Sequence, residues 1–243
     1  MNRPDRGNSI DKSLAEALTA ALGQHGADPT LRSVVISGAG EKFFCAGGDI
    51  KAYALLQSEE ELNNIFGITR DLLDTIEQLP VPVIAALNGY AIGGGAELAL
   101  ACDIRVMAMS AQISFPQVRL GIMPGWDGAT RLVSIVGRPA ATKLLLLGER
   151  MSAEDALAIG FADEVVADAM LFARTAELAR AFEQTAPRSV AMIKTTLRNL
   201  ARQPFQSVRA TGREAFAQLW FSADHKEAEQ AFAEKRAPVF TGE

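Results

Sequence analysis

Glu97 stands two residues after a run of three glycines, Gly93-Gly94-Gly95-Ala96-Glu97, and this is where the chain's chemistry is most legible. Ahead of the glycines, Val81–Leu87 is a short apolar run of the kind that forms a buried strand. Behind them, Ala96–Cys102 is built of good helix formers. The glycines therefore sit at a strand-to-helix turn, where they allow a sharp bend and a close approach to the backbone. The first N–H groups of the helix have no internal partner and point at whatever lies ahead. Such a turn can hold a phosphate or stabilise an oxyanion. Glu97 lies among Ala96, Leu98, Ala99 and Leu100, so its carboxylate is expected to be partly buried, with its pKa raised and ready for proton transfer. The plain alternative is a solvated helix glutamate. A dinucleotide fingerprint fails because Leu98 stands where a third spaced glycine is needed, and no Gly-Lys-Ser/Thr follows for a P-loop.

A second segment has the same design. Leu31–Ser37 reads as a strand and leads through Gly38-Ala39-Gly40 into Phe43-Phe44-Cys45-Ala46-Gly47-Gly48-Asp49-Ile50. Two such turns can place two backbone N–H groups around one oxygen, the minimum for an oxyanion hole. This pair of segments resembles the enoyl-CoA hydratase/isomerase, or crotonase, family. The likeness continues through Leu120–Leu132, Ala153–Val165 and Lys226–Phe240.

The resemblance implies an α/β fold, a spiral of β-β-α turns over residues 1–167. A helical region over 168–243 would pack a homotrimer or a dimer of trimers. It implies an acyl-CoA thioester substrate, whose coenzyme A enters as part of the substrate, and no separate cofactor. The two oxyanion donors fall on the N–H groups of Ala46 and Gly94, and Glu97 matches a catalytic glutamate. Gly47, Asp49, Gly93, Gly125, Trp126 and Asp127 join the candidate substrate-binding set. Phe43 and Phe44 either line the acyl channel or pack. Arg6, Lys42, Lys235 and Arg236 are candidate CoA-phosphate ligands or solvated charges.

Two departures bear on the reaction. Hydratases of the family carry a second glutamate in a Pro-Glu pair, whereas here the pair is Pro116-Gln117. An amide holds water or a carbonyl by hydrogen bonds but does not cycle a proton. The second departure is Trp126-Asp127, where hydratases have small residues. Trp126 is expected to wall the acyl pocket. Asp127 is either a replacement acid or, the reading favoured, a cap on the helix from Gly128. The Trp126 pattern also resembles decarboxylases of branched malonyl-CoA thioesters of the methylmalonyl or ethylmalonyl type, which need one acid and no second base. The leading reading is an enoyl-CoA hydratase-like enzyme, with that decarboxylase as the alternative. A catalytically weak CoA-binding paralogue is a rival of another class. No serine lies in the Gly93–Glu97 turn, against a protease.

The positioning elements are readable in outline. Ser9–Leu22 carries Leu14, Leu18 and Leu22 in helical register, and residues 55–79 carry Leu62, Ile65, Thr69, Leu72, Ile76 and Leu79 up to the stop at Pro80. Ile104–Met109 reads as a strand and Pro139–Leu147 as a short helix. Ser152 and Asp155 have the spacing of a capping box, with Gly160 closing that helix. Helices are expected near 168–185, 188–202, 206–221 and 224–236, with Phe216, Leu219 and Trp220 on a buried face. The family pattern places a strand and hairpin before Asn2-Arg3-Pro4, which here follow Met1 directly. Either the start has been assigned too late or that first strand is absent, which would leave a strand edge uncovered.

Composition narrows the classes. The net charge of −5 with no dense basic run argues against nucleic acid and an anionic membrane surface. Apolar residues make up 49% of the 243, enough for a large core, yet no run reaches membrane-spanning length. Cys45 and Cys102 read as packed free thiols, in keeping with a cytoplasmic setting. His25 and His225 are the only histidines and both read as surface residues, which argues against a His-based zinc site or a Ser-His-Asp triad. No metal is expected.

Overall fold

The computed structural model describes residues 1–49, 53, 57–202 and 222–243. The strands are β1 (Val34–Ser37), β2 (Phe43–Cys45), β3 (Val83–Leu87), β4 (Tyr90–Ile92), β5 (Ile104–Ala108), β6 (Gln112–Ser114), β7 (Arg150–Ser152) and β8 (Glu164–Val166). The helices are α1 (Lys12–Gly26), α2 (Glu59–Gln78), α3 (Gly94–Ala101), α4 (Gly128–Leu147), α5 (Ala153–Ala158), α6 (Leu171–Ala181), α7 (Pro187–Arg202) and α8 (Ala223–Glu234).

Through β6, odd and even strands go to different sheets, and β7 and β8 then join them in swapped order. One sheet runs β1-β3-β5-β8, all parallel, and the other runs β2-β4-β6-β7, with only β7 antiparallel. Each pair of consecutive strands thus adds one rung to each sheet before the chain turns away. That is the expected spiral of β-β-α turns. β3 is buried at every residue, because it lies between β1 and β5. This is why Val81–Leu87 is continuously apolar rather than alternating.

Helix α2 starts where Ser58 accepts a hydrogen bond from the Glu61 N–H at 3.1 Å, and the Glu61 carboxylate in turn takes the Gln57 N–H at 2.8 Å. It ends at Leu79, whose backbone is non-helical, as Pro80 requires. The expected apolar stripe holds only in its second half. Thr69, Leu72 and Ile76 are buried, whereas Leu62 is 43% exposed. Each fully buried leucine or isoleucine there contributes about 1.5–3 kcal/mol.

Two local expectations need correction and one holds. Helix α1 begins at Lys12 rather than Ser9, because the backbone of Ile10 is already paired: its N–H donates to Gly47 and its carbonyl accepts from Asp49. Asp11 supplies the cap, accepting from Leu14 N at 2.9 Å. The Pro139–Leu147 helix is the second half of α4, which breaks at Gly137 (φ 73°, ψ 166°). The cap at Ser152 is found, accepting from Asp155 N at 3.1 Å.

β1 is an edge strand, and Met1 ties onto its end: the terminal amine donates to Ser37 O and Ala39 N donates to Met1 O, both at 2.8 Å. From Asp168 on, the described residues form only helices and 3-10 turns. The tail is nonetheless fastened to the body. α6 packs on β1, β3 and β5, and Lys194 of α7 pairs with Asp103 at 2.6 Å while donating to the carbonyls of Ile76 and Val81. The expected helix 206–221, with Phe216, Leu219 and Trp220, lies outside the described residues. No described helix is long and apolar enough to cross a membrane.

Candidate active site

The three glycines before Glu97 answer three separate demands. Gly93 takes φ 54°, a left-handed value that favours glycine, and its N–H donates to Ser114 O at 2.8 Å, fixing the turn to β6. Gly94 is the first residue of α3, and the edge of the Trp126 ring occupies the place of a Cβ. Gly95 has no room for a Cβ because the Cys45 carbonyl of β2 lies there. The Gly94 N–H, first in the helix, has no intrahelical acceptor.

Glu97 is only 1% exposed, and its carboxylate is enclosed by donors. Oε1 accepts from Gln117 Nε2 at 3.0 Å; Oε2 accepts from the N–H groups of Trp126 at 2.8 Å and Gly128 at 2.9 Å. Gly128 opens α4, so the positive end of that helix faces the carboxylate. A side chain at 128 would collide with the Glu97 carboxyl, which explains the glycine. Burial pushes the Glu97 pKa above the usual carboxylate range and outweighs the two backbone bonds, the nearby Arg131 charge and the Gln117 bond. Arg131 is itself buried, bonded to Glu77 at 2.6 Å, to Asp74 at 3.2 Å and to Trp126 O at 2.5 Å. Gln117 sits in the 3-10 turn Pro116–Leu120 after β6 and is 7% exposed.

The second glycine turn meets the first. Gly47 (φ 98°) lies against Ile92 O and Gly94 N, with room at its Cα for little more than hydrogen. Here one expected role changes. The Ala46 N–H donates to Gly7 O at 2.8 Å, so it is already spent. Gly48 bridges Ile10, and the bonds of that bridge use Gly47 O and Asp49 N, which turns the Gly48 N–H to the opposite side. Among the described residues the Gly48 N–H has no acceptor, and it replaces Ala46 as the candidate partner of Gly94. The Tyr53 ring covers Gly48 and stacks near Phe66 at 5.0 Å, and Phe66 in turn covers Gly125. Burial pushes the Tyr53 hydroxyl up to about 12, so it stays protonated.

Other candidates divide. Arg6 and Lys42 are exposed and share a rim, because Gly7 packs on the Phe43 ring and Lys42 Nζ lies 5.5 Å from that ring's centre. Phe43 meets Tyr90 edge-on, half-buried, at 5.7 Å. Phe44 is fully buried, which makes it a core residue and not a channel wall. Asp49 holds Arg3 at 3.4 Å, a structural bond beside the turn. Gly125 O accepts from Arg70 Nε at 3.0 Å. Asp127 stands at the N-cap position of α4 but caps nothing: its φ is 62° and its side chain makes no cap bond. It is exposed and lines a cavity of about 690 Å³ between α4 and α7. Lys235 is exposed, and Arg236 is bound to Glu227 at 2.5 Å and Glu234 at 2.6 Å, which occupies its guanidinium within the tail. Both cysteines are buried, with thiols pushed up to about 12, so neither is a nucleophile.

The enoyl-CoA hydratase/isomerase family model matches residues 1–243. The chain belongs to the enoyl-CoA hydratase/isomerase family. It is 38% identical over 246 residues to the carnitinyl-CoA dehydratase of Salmonella typhi, covering all of this chain and 93% of that one. Among solved structures, the enoyl-CoA hydratase of Bacillus anthracis superposes with a TM-score of 0.95 at 36% identity, covering 99% of this chain and 93% of that one. The enoyl-CoA hydratase/carnithine racemase of Magnetospirillum magneticum does so with a TM-score of 0.92 at 33% identity, covering 100% and 90%.

Reading the sequence alone missed Gly128 and Arg131, which build the Glu97 cage, and Gly48, Tyr53 and Phe66. Gly128 is the one with a local signal, a glycine at a helix start after Trp126-Asp127.

Proposed function

We propose that this protein is an acyl-CoA lyase of the enoyl-CoA hydratase type, adding water to, or removing it from, the C2–C3 bond of a thioester. The observation that carries the reading is the Glu97 carboxylate, buried and raised in pKa, beside two glycine turns that leave the Gly48 and Gly94 N–H groups unspent. The two N–H groups hold the thioester oxygen as it gains charge, and Glu97 moves the proton. Arg6 and Lys42, on the rim, face the CoA phosphates. Trp126 on Gly94 walls the acyl side. The same reading includes self-assembly, as homotrimer or dimer of trimers, supported by Ile193, Leu197 and Leu200, which leave an exposed apolar face on α7.

Decarboxylation of a branched malonyl thioester is the second reading, supported by Gln117 in place of a second carboxylate. A panel of crotonyl-CoA, a 3-enoyl-CoA, methylmalonyl-CoA and ethylmalonyl-CoA, followed by product mass, separates the two. A gain of 18 mass units on crotonyl-CoA is expected. Loss of carbon dioxide from a malonyl substrate, with crotonyl-CoA untouched, overturns the hydratase reading.

A further inference from the structure

Glu97 is gripped by a loop that is itself gripped from behind. A trans peptide unit is planar, with its C=O and N–H pointing opposite ways. Anchoring the carbonyl on one side therefore aims the N–H at the other. In the Gly125–Trp126 unit the oxygen accepts from Arg70 Nε at 3.0 Å, and the N–H donates to Glu97 Oε2 at 2.8 Å. In the Asp127–Gly128 unit the oxygen accepts from Thr130 Oγ1 at 2.8 Å, and the N–H donates to the same Oε2 at 2.9 Å. Between them, the Trp126 oxygen accepts from Arg131 Nη1 at 2.5 Å. Three successive peptide units are thus fixed from outside, and two of them direct their N–H groups to one carboxylate oxygen. Asp127, in the middle, holds φ 62°. A left-handed residue other than glycine persists where its surroundings over-determine it, and such strain gathers at functional sites.

Most of the anchors trace back to one stripe of helix α2. Phe66, Arg70, Asp74 and Glu77 stand at i, i+4, i+8 and i+11, on one face. Phe66 covers Gly125 and Arg70 holds its oxygen, while Asp74 and Glu77 hold the Arg131 guanidinium at 3.2 and 2.6 Å. The two arginines differ in charge balance. Arg131 is buried and paired twice, whereas half-buried Arg70 has, among the described residues, no bond besides the one to the peptide oxygen. A cation at the oxygen end and an anion at the N–H end polarise the peptide between them in the same sense, so each bond strengthens the other. The Arg131 charge also favours the ionised form of Glu97, against the effect of burial. The other charges facing Arg131 are Asp127 at the start of its helix and, across the cavity, Lys194 and Arg198 of α7. Asp103 and Arg105 line that cavity too, paired with Lys194 and Asp163 respectively.

We infer that Arg70 and Arg131 are positioning residues for Glu97: by holding the Gly125 and Trp126 carbonyls from behind, they aim the Trp126 and Gly128 N–H groups at its carboxylate, which fixes its direction and favours its ionised form. Both act through the loop. The inference rests on the lyase reading above for the proton that Glu97 moves.

The test reads Glu97 directly, so that it does not wait on turnover. The full-length protein is labelled with 13C at the glutamate side-chain carboxyls, the Glu97 signal is identified by its loss in Glu97→Gln, and it is titrated by NMR. In Arg70→Met and in Arg131→Met the anion loses support, so its midpoint is expected to move up. The shift should be about one pH unit or more for Arg131, the scale of losing a neighbouring opposite charge, and smaller for Arg70. Crotonyl-CoA hydration, measured well above the midpoint, should fall ~10–100-fold in kcat with KM near wild type, the scale of a misplaced reactant. Arg131→Met removes the cation that Asp74 and Glu77 hold. Where it does not fold by circular dichroism, Arg131→Lys takes its place. There the charge remains and the midpoint should stay near wild type, yet kcat should fall, because an ammonium is a point charge without the planar fork that holds Trp126 O, Glu77 and Asp74 together. Wild-type Glu97 midpoints and kcat in the folded methionine variants, or wild-type kcat in Arg131→Lys, with only the thermal midpoint lowered, would mean that the arginines merely staple α2 to α4. That overturns the inference. A wild type that leaves crotonyl-CoA unhydrated sinks the lyase reading instead, and the carboxyl titration still decides on the clamp.

Discussion

The two glycine turns each leave one backbone N–H unspent, and they do so by different means. In the Gly93–Gly95 turn the free N–H is set locally, by the start of a helix, although two of the groups that exclude side chains there come from distant parts of the chain. A positive φ, an aromatic edge and a neighbouring carbonyl each exclude a side chain, and the start of α3 supplies the free N–H. In the Ala46–Gly48 turn the free N–H is set at long range. It falls on Gly48 because Ile10 and Gly7, near the start of the chain, use up the bonds of Gly47, Asp49 and Ala46. One donor is placed by a helix and the other by what pairing leaves over. A pair of unspent N–H groups can therefore be half legible in a sequence.

The largest effect is expected where the two turns touch. Gly95→Ala pushes a methyl group into the Cys45 backbone carbonyl, which cannot rotate away. Loss of the cooperative thermal transition, or a large drop in its midpoint, should be seen by calorimetry, since overpacking against fixed backbone costs at least ~1–3 kcal/mol. A midpoint equal to wild type would mean that α3 and β2 are not in contact.

A smaller and purely catalytic effect should compare the turns directly. Gly94 is at a helix N1 position, where proline is tolerated and removes only the free N–H. In a Trp126→Ala background, which clears the ring, Gly94→Pro should lower turnover roughly 10²–10³-fold with acyl-CoA affinity kept. Gly48→Pro in a Tyr53→Ala background should do the same. Equal losses support a shared oxygen. A loss at Gly94 alone would remove the first turn from the hole.

What could be read from the sequence was what neighbours in the chain decide. The buried strand Val83–Leu87, the stop at Pro80, the Ser152 cap and Glu97 after its glycines all depend on local pattern. The alternation of strands between two sheets followed from the family likeness and not from any period. What escaped depends on distant groups. Ile10 is lost to α1 because of Gly48. Asp127 fails as a cap because its backbone turns left-handed to deliver the Trp126 and Gly128 N–H groups to Glu97. Phe44 is core and Phe43 is rim, a distinction set by strand alternation against a helix far along the chain.

The central claim is that one ionisable group, Glu97, does the acid-base work. The direct measurement is kcat/KM for crotonyl-CoA hydration across pH. Hydration needs Glu97 ionised, and burial has raised its pKa. The rate should therefore be lost, tenfold per pH unit, as pH falls through a value above the ordinary glutamate range, and stay level above it. Gln117→Glu, which supplies a second group, should turn this single limb into a bell. A wild-type profile that is already bell-shaped, or one that is flat through the whole acid range, would contradict the account.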